Sequence, residues 1–171
     1  MAGYMYFGNK KICPAILIGG GDEVNVGYKV DQNGKLMKET ENLTMSGFKS
    51  VGPYTFSEFF KSRSFSSVDL SCIETIDGDY ACNYMFSEAS LTSVDLSNLK
   101  TIDGDYACSD MFNQASLASV DLSNLKSIDG DYACFAMFST NELTSVDLSK
   151  LETISGSSSG AGMFYYNPEL T

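Results

Sequence analysis

Pairs of aspartates on either side of a glycine recur along the chain and are the residues best placed for chemistry. They are Asp77 and Asp79, Asp103 and Asp105, and Asp129 and Asp131. Carboxylates repeated in this way supply the oxygen ligands that calcium prefers. An ordinary Asp-Gly turn has the same residues, and a full calcium loop carries more ligands at fixed spacing. Calcium binding is therefore one hypothesis and a structural turn is the other, and no other metal or cofactor is expected.

A second set of carboxylates, here called the acidic strip, lies in repeated Ser-Asp-Ser triplets. Its members are Asp69, Asp95, Asp121 and Asp147. If each triplet is a short strand, the four carboxylates stack in a column with roughly 5 Å between neighbours and repel one another. Either the strip receives a cation, or the flanking serines and water satisfy the carboxylates.

The residue types that most enzymes require are absent or unsuited. The chain has no histidine, which is the side chain most used in acid-base catalysis and metal binding. Cys82, Cys108 and Cys134 recur at a fixed spacing that indicates a buried column, and their neighbours do not favour a reactive thiolate. Cys13 and Cys72 fall outside that column. We expect no enzymatic activity.

Composition narrows the class of partner. The 171 residues carry a formal net charge of -11, which disfavours nucleic acid and anionic membranes. Ile12 to Ile18 is the longest apolar run and is too short to span a bilayer, and the N-terminus does not resemble a signal peptide. Proteins and glycans remain as partners.

A repeat of 26 residues determines where these carboxylates and cysteines lie in the fold. Coils of this length begin at Phe65, Leu91, Leu117 and Leu143, and a shorter, eroded coil begins at Leu43. The spacing of apolar residues within each coil predicts a short strand, and a single coil cannot bury its apolar residues alone. Stacked coils would pair their strands in parallel and align equivalent residues in columns. The aromatic columns are predicted to lie in the core: Tyr80, Tyr106 and Tyr132, with Phe86, Phe112, Phe138 and Phe164.

The pattern L-x-x-V-x-L-x-x-L-x-x-I, followed by Met-Phe and the next leucine, resembles the BspA-type bacterial leucine-rich repeats. The resemblance covers residues 43–171, with Met-Phe in place of the usual Ala-Phe and an additional Gly-Asp-Tyr-Ala-Cys stretch. It implies an α/β-type repeat, a leucine-rich-repeat solenoid with a parallel β-sheet, preceded by a small N-terminal β segment. It also implies proteins of bacterial surfaces, adhesion, or phage and prophage particles, and it names no catalytic residue.

Two regions follow from this pattern: an N-terminal β segment at residues 1–42 and a solenoid of about five coils at residues 43–171. Asn33-Gly34 predicts a hairpin turn within the first region. The stretch G-N-K-K-I-C-P-A-I, which begins at Gly8, resembles the start of phage tail or baseplate accessory proteins. If that resemblance holds, the segment fixes the solenoid in a larger particle.

The positions that differ between coils are candidates for binding, and we call them the variable edge. They are Asn83, Tyr84, Ser109, Asp110, Phe135, Ala136, Tyr165 and Tyr166. Aromatic anchors beside polar residues are typical of surfaces that recognise proteins and sugars. Neutral drift at solvated positions is the alternative.

The last coil lacks the tyrosine and cysteine of the earlier coils, and an uncapped strand edge there predicts self-association. The favoured function is non-catalytic recognition or adhesion, in which the chain binds a host surface protein or glycan. The alternative is a structural assembly protein of a phage tail or another particle. Either function favours a virion or a bacterial cell surface as the location.

Overall fold

The computed structural model describes residues 48–171, together with four earlier strands at residues 4–7, 10–14, 25–26 and 42–46. The hairpin predicted at Asn33-Gly34 lies outside the described residues. In chain order the strands are β1 (Tyr4–Phe7), β2 (Lys10–Pro14), β3 (Asn25–Val26), β4 (Asn42–Ser46), β5 (Ser50–Val51), β6 (Ser67–Asp69), β7 (Thr75–Asp77), β8 (Ser93–Asp95), β9 (Thr101–Asp103), β10 (Ser119–Asp121), β11 (Ser127–Asp129) and β12 (Thr153–Ile154).

Two parallel sheets form two sides of the solenoid. In the first sheet β4, β6, β8 and β10 pair in parallel, and β3 adds to the outer edge of β4 in the antiparallel direction. In the second sheet β5, β7, β9, β11 and β12 are all parallel. Separately, β1 and β2 form an antiparallel pair. Residues one period apart are direct partners, as with Val68 and Val94, so the repeat length sets the register.

The third side is a stack of turns, and the residues that the structure describes contain no helix. The predicted repeat solenoid with parallel strands is confirmed, with about four turns and two parallel sheets. The expected α/β character is not seen in the described part of the chain. The returning segment is built from tight turns. Its backbone forms hydrogen bonds to the next coil, whereas the backbone of a helix forms them within the helix.

The core consists of columns of equivalent side chains. Leu70, Leu96 and Leu122 are fully buried, and so are the inner members of two further columns: Ile76, Ile102 and Ile128, and Phe86, Phe112 and Phe138. The phenylalanine rings stack through the core, with 5.4 Å between the centroids of Phe86 and Phe112. Each fully buried leucine or phenylalanine contributes roughly 1.5–3 kcal/mol to folding, but only once a neighbouring coil covers it.

A column of glycines lets the coils approach each other where β7, β9, β11 and β12 end. Gly104 has a φ of 120°, and a Cβ built on it would lie 2.4 Å from the carbonyl carbon of Gly78. The same short approach recurs at Gly130 and Gly156. No side chain fits there, which explains why glycine is kept in each Asp-Gly or Ser-Gly turn.

Candidate functional site: the turn wall

The side built from turns, here called the turn wall, carries most of the exposed aromatic side chains. It comprises residues 54–62, 80–88, 106–114, 132–140 and 158–166. Alternate N–H groups, such as those of Tyr80, Cys82 and Tyr84, donate to carbonyls of the next coil, and the N–H groups between them donate three residues back. Every fourth residue of the wall, as at Tyr80, Tyr84 and Glu88, has a φ between 49° and 65°. This left-handed conformation gives the chain its repeated turns.

Four tyrosines form a stacked ladder on this wall. Ring centroids are 5.2 Å apart between Tyr54 and Tyr80, 5.1 Å between Tyr80 and Tyr106, and 5.0 Å between Tyr106 and Tyr132. The prediction that this column lies in the core is wrong: Tyr54 is 65% exposed and the other three are partly exposed. Alanine and cysteine, the two residues after each of the other three tyrosines, fill the core instead.

The ladder is bordered by carboxylates. Partial burial, followed by neighbouring Tyr132 and Tyr80 and then Asp105 and Asp131, raises the pKa of the Tyr106 phenol. The Tyr106 phenol is therefore a neutral donor at physiological pH, because an ordinary tyrosine already titrates only near pH 10. A partner meets ring edges and hydroxyl groups here, since the ring faces inside the ladder cover one another.

The structure divides the variable edge into buried and exposed members. Asn83, Ser109 and Asp110 are buried, whereas Phe135 is 38% exposed. Ala136 is partly buried. The three buried residues are not available to a partner on this surface, because their side chains lie within the wall.

Buried Asp110 belongs to a local hydrogen-bond network. Asn113 Nδ2 donates to Asp110 Oδ1 at 2.7 Å, and Ser109 Oγ donates to Asp110 Oδ2 at 3.0 Å. Burial, followed by the charge of Asp110, raises the pKa of the neighbouring Tyr84 phenol. Lys61 Nζ lies 5.0 Å from the centroid of the Tyr84 ring. Buried polar groups need such partners, so the variation at these positions serves the packing of each coil.

Exposed aromatic residues gather at two ends of the wall. Tyr165 and Tyr166 are 70% and 69% exposed, with 6.2 Å between their ring centroids. Sequence reasoning missed Tyr54 as a surface residue. A signal existed only for Tyr80, Tyr106 and Tyr132, because the small Ala-Cys pair that follows each of them fits the core more easily than the large ring does. Tyr54 is followed by Thr55 and Phe56 and carries no such signal.

Three members of the acidic strip, Asp69, Asp95 and Asp121, end strands of the first parallel sheet along an open groove of about 560 Å³, whereas Asp147 lies in a segment that forms no strand. Oδ1 of each aspartate accepts the N–H of the serine two residues later, at 2.8–2.9 Å for all four members. The backbone hydrogen bond from Ser123 lowers the pKa of Asp121, and that from Ser149 lowers the pKa of Asp147. Each carboxylate thus closes a turn, and for Asp69, Asp95 and Asp121 this turn follows the end of a strand.

The aspartates of the Asp-Gly-Asp turns are exposed: Asp77, Asp79, Asp103, Asp105, Asp129 and Asp131. Asp79 Oδ1 accepts the N–H of Asp105 at 3.0 Å, and Asp105 Oδ1 accepts the N–H of Asp131 at 2.8 Å. Ser155 Oγ donates to Asp129 Oδ1 at 2.7 Å and helps to lower the pKa of that carboxyl. Within the described residues no group of three or more Cys, Asp or Glu side chains is arranged to hold a metal ion.

The repeat-phased thiols of Cys82, Cys108 and Cys134 are fully buried. Burial raises the pKa of Cys108 and Cys134 well above the ordinary value. Cys72 is only partly buried. The column is therefore chemically inert in the folded state.

Comparisons with protein-family models, curated proteins and solved structures returned no match for this chain. The part of the chain that the structure describes contains no helix long and apolar enough to cross a membrane. A function for this chain is therefore inferred from the geometry of the turn wall and its neighbouring surfaces.

Proposed function

We propose that the chain is a non-catalytic recognition module that binds a protein or glycan on a cell surface through the aromatic part of the turn wall. One observation carries the proposal. Of the five large apolar side chains that are exposed in the described residues, four lie on this wall: Tyr54, Phe135, Tyr165 and Tyr166. Exposed aromatic residues on a rigid scaffold are the usual anchors of protein and sugar recognition.

The rigidity of the wall supports this proposal. The N–H of Tyr132 donates to the carbonyl of Ser157 at 2.8 Å, and that of Thr140 donates to Tyr165 at 2.8 Å. The backbone on which the aromatic side chains stand is therefore fixed before a partner arrives, which reduces the entropy that binding costs. The proposed partner is neutral or cationic, because the net charge of -11 repels anions.

The same proposal covers the type of repeat and the location of the chain. The repeat pattern resembles the BspA-type leucine-rich repeats, and we propose that the chain acts on a bacterial cell surface or on a virion. The alternative is a structural assembly protein, for instance in a phage tail. The antiparallel pair β1 and β2 favours it, since this unit lies outside the two solenoid sheets and could attach the solenoid to a particle.

The test is binding of the purified full chain to a panel of bacterial cell walls and purified glycans, with and without calcium. The triple variant Phe135→Ala, Tyr165→Ala, Tyr166→Ala should weaken saturable binding by about tenfold or more, as expected when aromatic anchors are removed. The matched control is Asp69→Asn, Asp95→Asn, Asp121→Asn on the first sheet, which should leave the affinity unchanged.

Loss of binding in the aspartate variant alone would instead assign recognition to the acidic strip. If only the calcium-containing samples bound and both triple variants behaved as the original chain, a cation site would carry the function. Failure of the original chain to bind any surface would favour the assembly protein.

A further inference from the structure

The tyrosine ladder holds four phenol rings against one another on the surface of the solenoid. Its members are Tyr54, Tyr80, Tyr106 and Tyr132. The centroids of successive rings lie 5.0 to 5.2 Å apart, and their planes differ by only 7° to 15°. All four side chains are at least partly exposed. The ladder therefore places each phenol in contact with the next while leaving the ring edges open to small molecules in solution.

The hydroxyl groups of the ladder are not needed for the packing. Phe86 and Phe112 stack in the core of the same coils, with 5.4 Å between their centroids and 1° between their planes, so a phenylalanine ring serves this stacking equally well. Within the described residues, the ladder hydroxyls have no hydrogen-bond partner. What a phenol adds to a bare ring is its chemistry, because a phenol gives up one electron together with its proton far more readily.

The chain offers an oxidant few other reactive side chains. It contains no tryptophan. The thiols and thioethers that follow the ladder in the repeat are fully buried: Cys82, Cys108, Cys134, Met85, Met111 and Met137. Cys72 is the exception, as it is only partly buried. Four of the seven tyrosines in residues 48–171 belong to the ladder, so this row is the largest group of accessible, oxidisable side chains in that part of the chain.

The surroundings of the ladder favour a reaction within one chain over a reaction between chains. The N–H of Tyr80 donates to the carbonyl of Asp105 at 2.9 Å, and that of Tyr106 donates to Asp131 at 2.9 Å. Neighbouring phenols are thus fixed side by side, which gives them a high effective concentration for each other. Two ladders from different chains repel, because each is bordered by exposed carboxylates and each chain carries a net charge of -11.

We propose that the tyrosine ladder is a site of oxidative cross-linking, at which hydrogen peroxide and a haem peroxidase join neighbouring tyrosines as dityrosine. Each of two adjacent rings loses one electron and its phenolic proton. The two phenoxyl radicals form one carbon–carbon bond between their ortho positions, and the hydrogen on each ortho carbon moves to the oxygen of its own ring. The peroxide accepts the two electrons and the two protons, its O–O bond breaks, and it leaves as two water molecules.

The product is a covalent bond between two coils that otherwise hold together by non-covalent contacts. In a solenoid each coil contacts only its neighbours, so unfolding proceeds by separation of coils. A bond between Tyr80 and Tyr106 prevents that separation and restricts the unfolded chain, as a disulfide does. The modification concerns Tyr80, Tyr106 and Tyr132, which the proposed recognition function does not use.

The experiment treats the full chain with a haem peroxidase and hydrogen peroxide, and isolates the monomeric product on a denaturing gel. Cleavage by trypsin after Lys100 and Lys126 places Tyr80, Tyr106 and Tyr132 in three separate peptides. We expect dityrosine fluorescence in the monomer and, by mass spectrometry, peptide 101–126 joined to peptide 64–100 or 127–150. The urea midpoint of this monomer should be higher than that of the untreated chain.

The variant Tyr80→Phe, Tyr132→Phe keeps every ring of the stack but leaves no two phenols adjacent. It should lower the yield of these cross-linked peptides in the monomer by about tenfold or more. The matched control is Tyr165→Phe, Tyr166→Phe, which removes two phenols whose centroids are 6.2 Å apart and whose planes are tilted by 41°. This control should leave the ladder cross-links unchanged. Urea denaturation before oxidation verifies that both variants fold.

Four outcomes would overturn the proposal. The first is dityrosine found only between chains, and the second is a monomer whose cross-links join other tyrosines. The third is an equal yield of ladder cross-links from a chain unfolded in urea, since the fold would then not direct the reaction. The fourth is an equal loss of these cross-links in the two variants. Each result is independent of binding to cells or glycans, which is measured without an oxidant.

Discussion

At the scale of single residues, positive φ occurs in two settings that accept different residue types. Residues of the turn wall near a φ of 55° include Tyr80, Asp110 and Thr140, so this conformation accepts many side chains when the inter-coil hydrogen bonds hold it. The glycine column differs, because Gly104 combines a φ of 120° with a neighbouring backbone at 2.4 Å. Only the second kind demands glycine.

We therefore expect Gly104→Ala to lower the free energy of unfolding by about 2 kcal/mol or more, through backbone strain and the contact with Gly78. Gly162→Ala is the matched control. Gly162 has a φ of 65°, a Cβ built on it would make only an ordinary contact of 3.8 Å with Tyr165 Cβ, and Ala136 occupies the same position one coil earlier. Its cost should be below about 1 kcal/mol. Urea denaturation of both variants measures the difference, and equal costs would contradict the argument.

Residue patterns predicted the buried phenylalanine and cysteine columns, because a large or apolar side chain recurs there at the repeat period. They did not predict the exposure of the tyrosine ladder. Periodicity shows that Tyr80 and Tyr106 lie in one column but not on which side of the backbone. That side depends on the left-handed φ at each tyrosine, which the residue type does not reveal. The burial of Asp110 was equally hidden, since its partners Ser109 and Asn113 become evident only in the folded turn.

At the scale of elements, strands of two to five residues are too short to be stable alone and depend on links between coils. One such link joins the starts of β5, β7 and β9. Glu74 forms ion pairs with Lys49 at 2.6 Å and with Lys100 at 2.5 Å. Hydrogen bonds from Lys100 and Lys49, followed by their charges, lower the pKa of Glu74 to about 2.

Because the folded state lowers this pKa below its unfolded value of about 4.3, the ionised carboxylate stabilises the fold. That contribution is complete above the unfolded pKa and is lost as the pH falls through about 2. We expect Glu74→Gln to lower the urea midpoint at pH 7 and to have no effect near pH 2. High salt should reduce the difference at pH 7, since both lysines are exposed.

Glu152→Gln is the matched control for this link. Glu152 stands at the equivalent position of the last coil and has no ion pair within the described residues. The control should leave the midpoint unchanged at both pH values. A pH-independent loss in the Glu74 variant would show that packing, rather than charge, links these strands.

At the scale of the whole molecule, the position of a coil in the stack determines how much its side chains contribute. Leu99 lies in an inner coil and is fully buried, whereas Leu151 occupies the same place in the last coil and is only partly buried. Leu99→Ala should cost about 3 kcal/mol, because it leaves a cavity between two covering coils. Leu151→Ala should cost less than half of that value. Equal costs in urea denaturation would mean that Leu151 is already covered in solution.

The architecture of the solenoid was predictable because a 26-residue period with one apolar pattern has few physical solutions. The second parallel sheet was harder to predict. Thr101–Asp103 is a strand of only three residues, and its single buried residue, Ile102, is compatible with either a strand or a turn. The direction of the turn-wall hydrogen bonds has no sequence signal at all, since every residue except proline carries both a donor and an acceptor.

Because the hydrogen bonds between coils of the turn wall share one direction, they also give the solenoid an electrostatic dipole along its axis. Peptide units that donate from coil to coil along the axis align their dipoles of about 3.5 D each, as they do in a helix. These dipoles therefore contribute a positive potential at the last coil and a negative potential at the first, superimposed on a net charge of -11. A carboxylate added at the last coil would be favoured and an added lysine disfavoured.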